Sequence, residues 1–237
     1  MGILVNALSI SISILIGSLC KNKIKFKINI YLAIAVIIIS LLGFLENIFM
    51  ISDNRLLSTN MLIVIFSLVI GSCLGDYIKI EDRIDNFIKQ KASKDNGFLE
   101  AVFLFGIGGL QISGPILMAV SGNNSQLYLK AMVDFPLGLI IGANYGKLAS
   151  LSSIPVAILQ CFIAIIAYFW GSFISQALIM SLCSMGFIIL FFTGYNMLTT
   201  SENKIKNTNM VPSVFLVIIF HVIKELIIWR YNNVNTF

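Results

Sequence analysis

Apolar runs long enough to cross a bilayer recur along almost the whole chain, at about 2–20, 29–50, 61–78, 97–120, 127–148, 151–174, 177–199 and 210–229. A run of ~17 to 25 such residues matches the hydrocarbon thickness of a membrane as one helix. Of the 237 residues only 11% are charged and 58% are hydrophobic, whereas a soluble domain has ~25% charged residues to cover one core. These features predict an all-α membrane protein, a bundle of about eight transmembrane helices forming one polytopic domain over 1–237. The first run lacks a basic leader region and a small-x-small cleavage pattern, so it reads as a retained span.

The charges between spans set an orientation. With the N-terminus outside, twelve of the sixteen Lys and Arg fall on inside connections: Lys21, Lys23, Lys25, Lys27, Lys79, Arg83, Lys89, Lys91, Lys94, Lys147, Lys204 and Lys206. Cytoplasmic loops carry such an excess, so both termini are expected outside. The long inside connection, residues 79–96, places Ile80, Ile84, Phe87 and Ile88 on one helical stripe. It is expected to lie as an amphipathic helix on the cytoplasmic leaflet, with a solvated charged loop as the alternative.

Two stretches at an offset of 149 residues resemble each other, "TNMLIVIFSLVI" from Thr59 and "TNMVPSVFLVII" from Thr208, and Asn47 stands as far before Asn196. Spans 1–3 and 6–8 would then form an inverted repeat around spans 4 and 5, a plan used by secondary transporters; chance likeness of apolar segments is the alternative.

Spans 4 and 5 are the least suited to lipid. The fourth contains "GIGGLQISGPILMAV", with Gln111, Ser113, Gly114 and Pro115. The fifth contains "LKAMVDFPLGLIIGANYG", with Lys130, Asp134, Pro136 and Asn144. Proline removes a backbone donor and clashes one turn back, so both spans are expected to kink or break at similar depth. Irregular backbone within a membrane survives where protein covers it or where it lines a wet cavity. An ionisable residue at that depth is a functional hypothesis. Asp134, with Lys130 one turn before it, is therefore either half of a coupled pair at a solute or ion site or a structural ion pair reaching the outer interface. Gln111, Ser113, Gly114, Asp134, Asn144 and Asn6 form the expected binding set. Glu46 closes the second span near the interface and ranks below Asp134. Gln160, Asn47 and Asn196 read as interhelical hydrogen-bonding groups.

Small residues repeat every fourth position at Ser9, Ser13 and Gly17, at Gly71 and Gly75, and at Gly138, Gly142 and Gly146, a spacing that lets helices approach closely. His221 has no companion for a metal shell, and Cys20, Cys73, Cys161 and Cys183 stand singly, so neither a metal nor a cofactor is expected. Phosphate loops, nucleophile elbows and zinc-protease pairs are absent from the sequence, which argues against an enzyme. The net charge of +5 sits in loops rather than on an aromatic-bearing soluble face, so nucleic acid is not an expected partner. The expected partners are the lipid bilayer, a small solute or ion, and optionally a second copy of the chain.

"MGILVNALSISISILIGSLCK", "SLVIGSCLGDYIKIEDRIDNF", "LKAMVDFPLGLIIGANYG" and "TGYNMLTTSENKIKNTNMVPSVFLVI" resemble, in order and over nearly the full chain, the domain of unknown function (DUF) 554 family of bacterial membrane proteins. The likeness rests on Asn6, Gly71, Gly75, Lys130, Asp134, Asn196-Met197 and Pro212. "GPILMAVSGNNS" and Gln160-Cys161 depart from the family's pattern. The resemblance implies a multi-pass protein of the bacterial cytoplasmic membrane, a transporter by general description, with no substrate named. A scaffold or regulatory subunit docking through 79–96 is the alternative.

Overall fold

The computed structural model describes all residues except 21–25, 53–54, 59, 92–96, 107–108, 172–173, 200–202 and 235–237. Ten α-helices dominate: α1 (Gly2–Leu19), α2 (Phe26–Ile48), α3 (Met61–Ile78), α4 (Ile80–Lys91), α5 (Gly97–Gly106), α6 (Gly109–Ser121), α7 (Ser125–Tyr145), α8 (Ser153–Trp170), α9 (Gln176–Leu198) and α10 (Val211–Val234). Short 3-10 turns, Lys147–Ser152 and Asn207–Met210, lead into α8 and α10. Six of these helices are long and apolar enough to cross a membrane among the described residues: α1, α3, α7, α8, α9 and α10. The bent pair α5 and α6 brings the number to seven if counted as one span. The apolar part of α2 is Ala33–Ile48.

One element is not helical. β1 (Phe49–Ser52) pairs antiparallel with β2 (Arg55–Ser58), so the second apolar run gives way to a hairpin instead of continuing as helix to residue 50. β-Branched and long apolar residues suit either conformation, which is why the run reads as continuous.

Prolines do not break the chain where their chemistry alone predicts. α7 runs unbroken through Pro136, and α6 runs through Pro115. One missing donor leaves a single carbonyl free, and buried helices tolerate that when neighbours pack around them. The departure from a straight span lies earlier: Gly97–Gly106 and Leu110–Ser121 are inclined to each other by 55°. Of the two spans expected to break, only the fourth does.

Small-residue stripes fix the centre of the bundle. α1 packs along α7: a side chain at Gly17 would collide with the Leu139 carbonyl, one at Gly142 with the Ile14 carbonyl, and one at Gly138 with the Ser13 hydroxyl. Ser9 Oγ donates to Ala131 O at 2.6 Å across the same seam. The two stripes read separately from the sequence therefore face each other. Gly75 serves α3 in the same way, beside the Asn209 backbone at the start of α10. α2 packs on α9, and α6 on α8 and α9.

End contacts distinguish the two faces of the bundle. Gly2 N donates to Asn124 Oδ1 at 2.9 Å, and Lys224 Nζ to Asn60 Oδ1 at 2.7 Å, at one end. At the other, α4 is clamped to the turn before α10: Thr208 N donates to Glu81 Oε2, Glu81 N to Asn209 Oδ1, and Lys206 Nζ to both carboxylate oxygens of Asp82 at 2.7 and 2.8 Å. Phe87 of α4 stacks edge-on against Phe103 of α5. The expected helix within 79–96 is thus present to Lys91, while 92–96 and the Ile88 side chain lie outside the described residues.

Candidate functional site: a broken helix, a buried ion pair and an open cavity

α5 ends at Gly106, and a helix leaves the carbonyls of its last turn without internal partners. One of these, Phe105 O, accepts a hydrogen bond from Lys130 Nζ at 3.1 Å. The same ammonium stands 2.8 Å from Asp134 Oδ2, and both side chains are buried, at 7% and 6% exposure. A cation at a helix C-terminus also meets the negative end of the helix dipole. Lys130 therefore joins a half-helix end to a carboxylate inside the bundle. Fully buried Asn6 lies beside Asp134, and neither amide atom has a hydrogen-bonding partner of normal geometry. A cavity of about 40 Å³ adjoins the pair, lined by Leu110 at the start of α6, Val133, Gly186 and Leu190 as well as the two charged residues. That exceeds the ~10 to 15 Å³ one water needs.

A second cavity, of about 600 Å³, opens at the end of the bundle that carries Asn123. It lies between the end of α2, the end of α6, the start of α7 and the first three turns of α9. Glu46, Asn47, Ser121, Gln126 and Gln176 give it a polar wall, and Phe187 closes its deep side. From Gln176 to Phe187 the cavity follows α9 for ~16 Å at 1.5 Å per residue. Gly186, next to Phe187, lines the small cavity, so the two spaces meet α9 at adjacent residues. The Phe187 ring is 1% exposed and lies against Gly43, where any larger side chain would collide with it.

The expected residues separate into four groups. Lys130, Asp134 and Asn6 are together. Ser113 Oγ donates to Gln126 Oε1 at 2.8 Å, linking α6 to the wall of the open cavity; Gly114, one residue on, lets Leu127 of α7 lie close. Gln111 turns the other way. Its Nε2 donates to Val156 O at 3.1 Å and its Oε1 accepts from Gln160 Nε2 at 2.9 Å, so it ties α6 to α8. Asn144 is exposed near the clamped end of α7 and does not join the cluster. Ten residues beyond Asp134, it lies ~15 Å along the axis and on a different face.

Gln126 and Phe187 are not singled out by sequence reasoning. Gln126 carries a usable signal, since it precedes Lys130 by the same four-residue step that separates Lys130 from Asp134. Phe187 carries none. His221 Nε2 lies 2.9 Å from Ser181 Oγ, which places it as a tie between α10 and α9. No group of three or more His, Cys, Asp and Glu suited to a metal occurs among the described residues.

Residues 1–222 match the family described as "Protein of unknown function (DUF554)". The chain is similar to the "Uncharacterized membrane protein YdfK" of Bacillus subtilis (strain 168), at 30% identity over 164 residues, 67% of this chain and 70% of that protein. No solved structure matches. With the family pattern extending over all but the end of the last helix, the chain belongs to the DUF554 family of membrane proteins.

Proposed function

We propose that the protein is a secondary transporter of a small polar solute or ion, with the open cavity as the solute's entrance and the Lys130–Asp134 pair as the element that moves during the cycle. The observation that carries this reading is the bond from Lys130 to Phe105 O at the end of a broken helix, next to a space large enough for one water or ion. Half-helix ends at mid-membrane are typical places for transporters to hold ions and charged substrate groups. A purely structural ion pair would need neither the adjacent space nor the cavity above it.

The wider architecture supports the same reading. Counting α2 and the bent pair α5–α6 as spans gives eight crossings in the bacterial cytoplasmic membrane. By the positive-inside rule, the Lys-rich clamped end faces the cytoplasm and the open cavity faces outside, as do both termini. An inverted repeat at the 149-residue offset is supported by paired contacts: α1 lies on α8, α2 on α9 and α3 on α10, each pair being repeat equivalents. Asn60 and Asn209, one repeat apart, each stand at the start of a span and bond a charged residue at the end of its partner, Lys224 at 2.7 Å and Asp76 at 3.0 Å. Asn47 lines the open cavity, while its equivalent Asn196 is bonded to both the amide and the carbonyl of Ile205 at the opposite face. One entrance would be open and its counterpart sealed.

A scaffold docking through 79–96 is less favoured, because Glu81 and Asp82 are engaged within the chain. An enzymatic role is not part of the proposal. The test is solute profiling of a deletion strain followed by uptake into proteoliposomes. At equal protein levels, Asp134→Asn and Ser113→Ala should each depress uptake; full uptake by both variants overturns the assignment.

A further inference from the structure

The open cavity is selective in its chemistry. Glu46 is the one ionisable side chain among the described residues that line it. Beside Glu46, Asn47 Nδ2 donates to Gly43 O at 2.7 Å, which leaves the amide oxygen of Asn47 to serve the cavity. The corner where α2 ends therefore offers acceptors. Across the cavity, Gln126 Oε1 is occupied by Ser113 and Asn123 Oδ1 by Ser125 N at 2.8 Å. The Asn123 NH₂ group is thus left as a donor, while Gln126 is engaged by both Ser113 and the Cys183 thiol. Between these poles the wall is apolar, with Leu117, Ile179 and Phe187 among its residues.

A complementary ligand has a cationic group with N–H donors at one end, a hydroxyl or carbonyl acceptor at the other, and a hydrocarbon body between. An anion would face Glu46 with no lining cation to offset it, and an anion-specific site uses Arg or Lys. A bare metal ion would leave most of about 600 Å³ to water. We infer that this cavity binds a small organic monocation, an amine bearing a hydrogen-bond acceptor, and that Glu46 is the residue that recognises its charge. As a statement about the transported solute, this rests on the cavity being the entrance proposed above.

The probes are three molecules of one shape and different charge: phenylethanolamine, phenylethylene glycol and mandelate. Binding to the purified full chain in detergent is followed by the change in unfolding temperature with ligand concentration and by equilibrium dialysis. Phenylethanolamine should bind saturably, about tenfold or more tighter than the glycol, since a hydrogen bond to a charged group is worth ~1.5 to 3 kcal/mol; mandelate should not bind. Glu46→Gln should lose that preference at an unchanged unfolding temperature of the free protein, and Glu46→Asp should restore part of it. Equal binding of the three probes, preference for mandelate, or an undiminished preference in Glu46→Gln overturns the inference. So does failure of phenylethanolamine and ethanolamine alike to bind. The two proposals fail separately: an amine that binds through Glu46 but is never carried into proteoliposomes removes the transport reading, whereas Asp134-dependent uptake without charge preference removes this one.

Discussion

Lys130 and Asp134 can be tested as a unit by a double-mutant cycle with Lys130→Met, Asp134→Asn and the double variant. Lys130 has two contacts at under a tenth exposure, the Asp134 carboxylate in an ion pair at 2.8 Å and Phe105 O as hydrogen-bond acceptor at 3.1 Å. Removing either partner strands a buried charge, which costs ~3 to 5 kcal/mol. The two single costs together amount to ~6 to 10 kcal/mol. The double variant contains no stranded charge; its main loss is the Phe105 carbonyl's partner, at ~1 to 3 kcal/mol. The expected coupling energy is therefore at least ~3 kcal/mol, with the double variant more stable than either single one. Reversible unfolding in mixed micelles, followed by tryptophan fluorescence, measures all four forms. Single costs below ~1 kcal/mol that add up in the double variant, as for exposed pairs, would refute the claim that the pair is buried and mutually dependent.

Other sites give predictions of their own. Gly142→Leu should separate α1 from α7, because even one added carbon meets the Ile14 backbone; a loss of ~1 to 3 kcal/mol or more is expected in the same unfolding assay, against a small effect for Gly171→Ala, whose added carbon would meet Val120 at an ordinary 3.5 Å. Phe187→Ala should join the two cavities at a stability cost of ~3 to 5 kcal/mol, and in proteoliposomes it should turn coupled uptake into leak. The half-buried Glu81 carboxyl is raised above its ordinary 4.5, desolvation outweighing the hydrogen bond from Thr208. A raised folded-state value means the native clamp binds the proton more tightly. The clamp contribution is therefore greatest below 4.5 and falls as pH rises through the folded-state value. The protection factors of amides 80–88, which remove the intrinsic base catalysis of exchange, should fall over that range, and Glu81→Gln should abolish the fall. Asn123→Cys should react with an impermeant maleimide in intact cells and Lys204→Cys should not, the reverse pattern refuting the orientation.

Features with a helical period are legible in the amino-acid order itself. The i,i+4 step places Lys130 against Asp134, and the stripes Ser9–Ser13–Gly17 and Gly138–Gly142 identify α1 and α7 as close-packing helices. Partner choice across long sequence separations is not legible: nothing in the spacing shows that Gln111 turns to Gln160 on α8 rather than to Asp134 on α7. Proline draws attention to spans 4 and 5, yet α7 carries Pro136 and α6 carries Pro115 without interruption, and the bend falls between α5 and α6. Asn144 shares a helix with Asp134 but neither its face nor its depth. Glu46 reads as an ordinary helix-end charge, since a cavity built by four separate elements has no signature in the sequence of any one of them.

The bend between α5 and α6 divides one span into arms of unequal freedom. α6 is bound to α8 through Gln111 and to α7 through Ser113, whereas α5 is joined to α7 by the bond from Lys130 to Phe105 O and to α4 by the stack of Phe103 on Phe87. One protonation or ion-exchange event at Asp134 that draws Lys130 away would loosen the end of that arm, while Ala101 and Phe103 keep its packing. Its start, Gly97, abuts Tyr145 at the inner end of α7, so the arm would swing from a fixed foot. A local change of charge would then become a tilt of ten residues, leaving α6 in place.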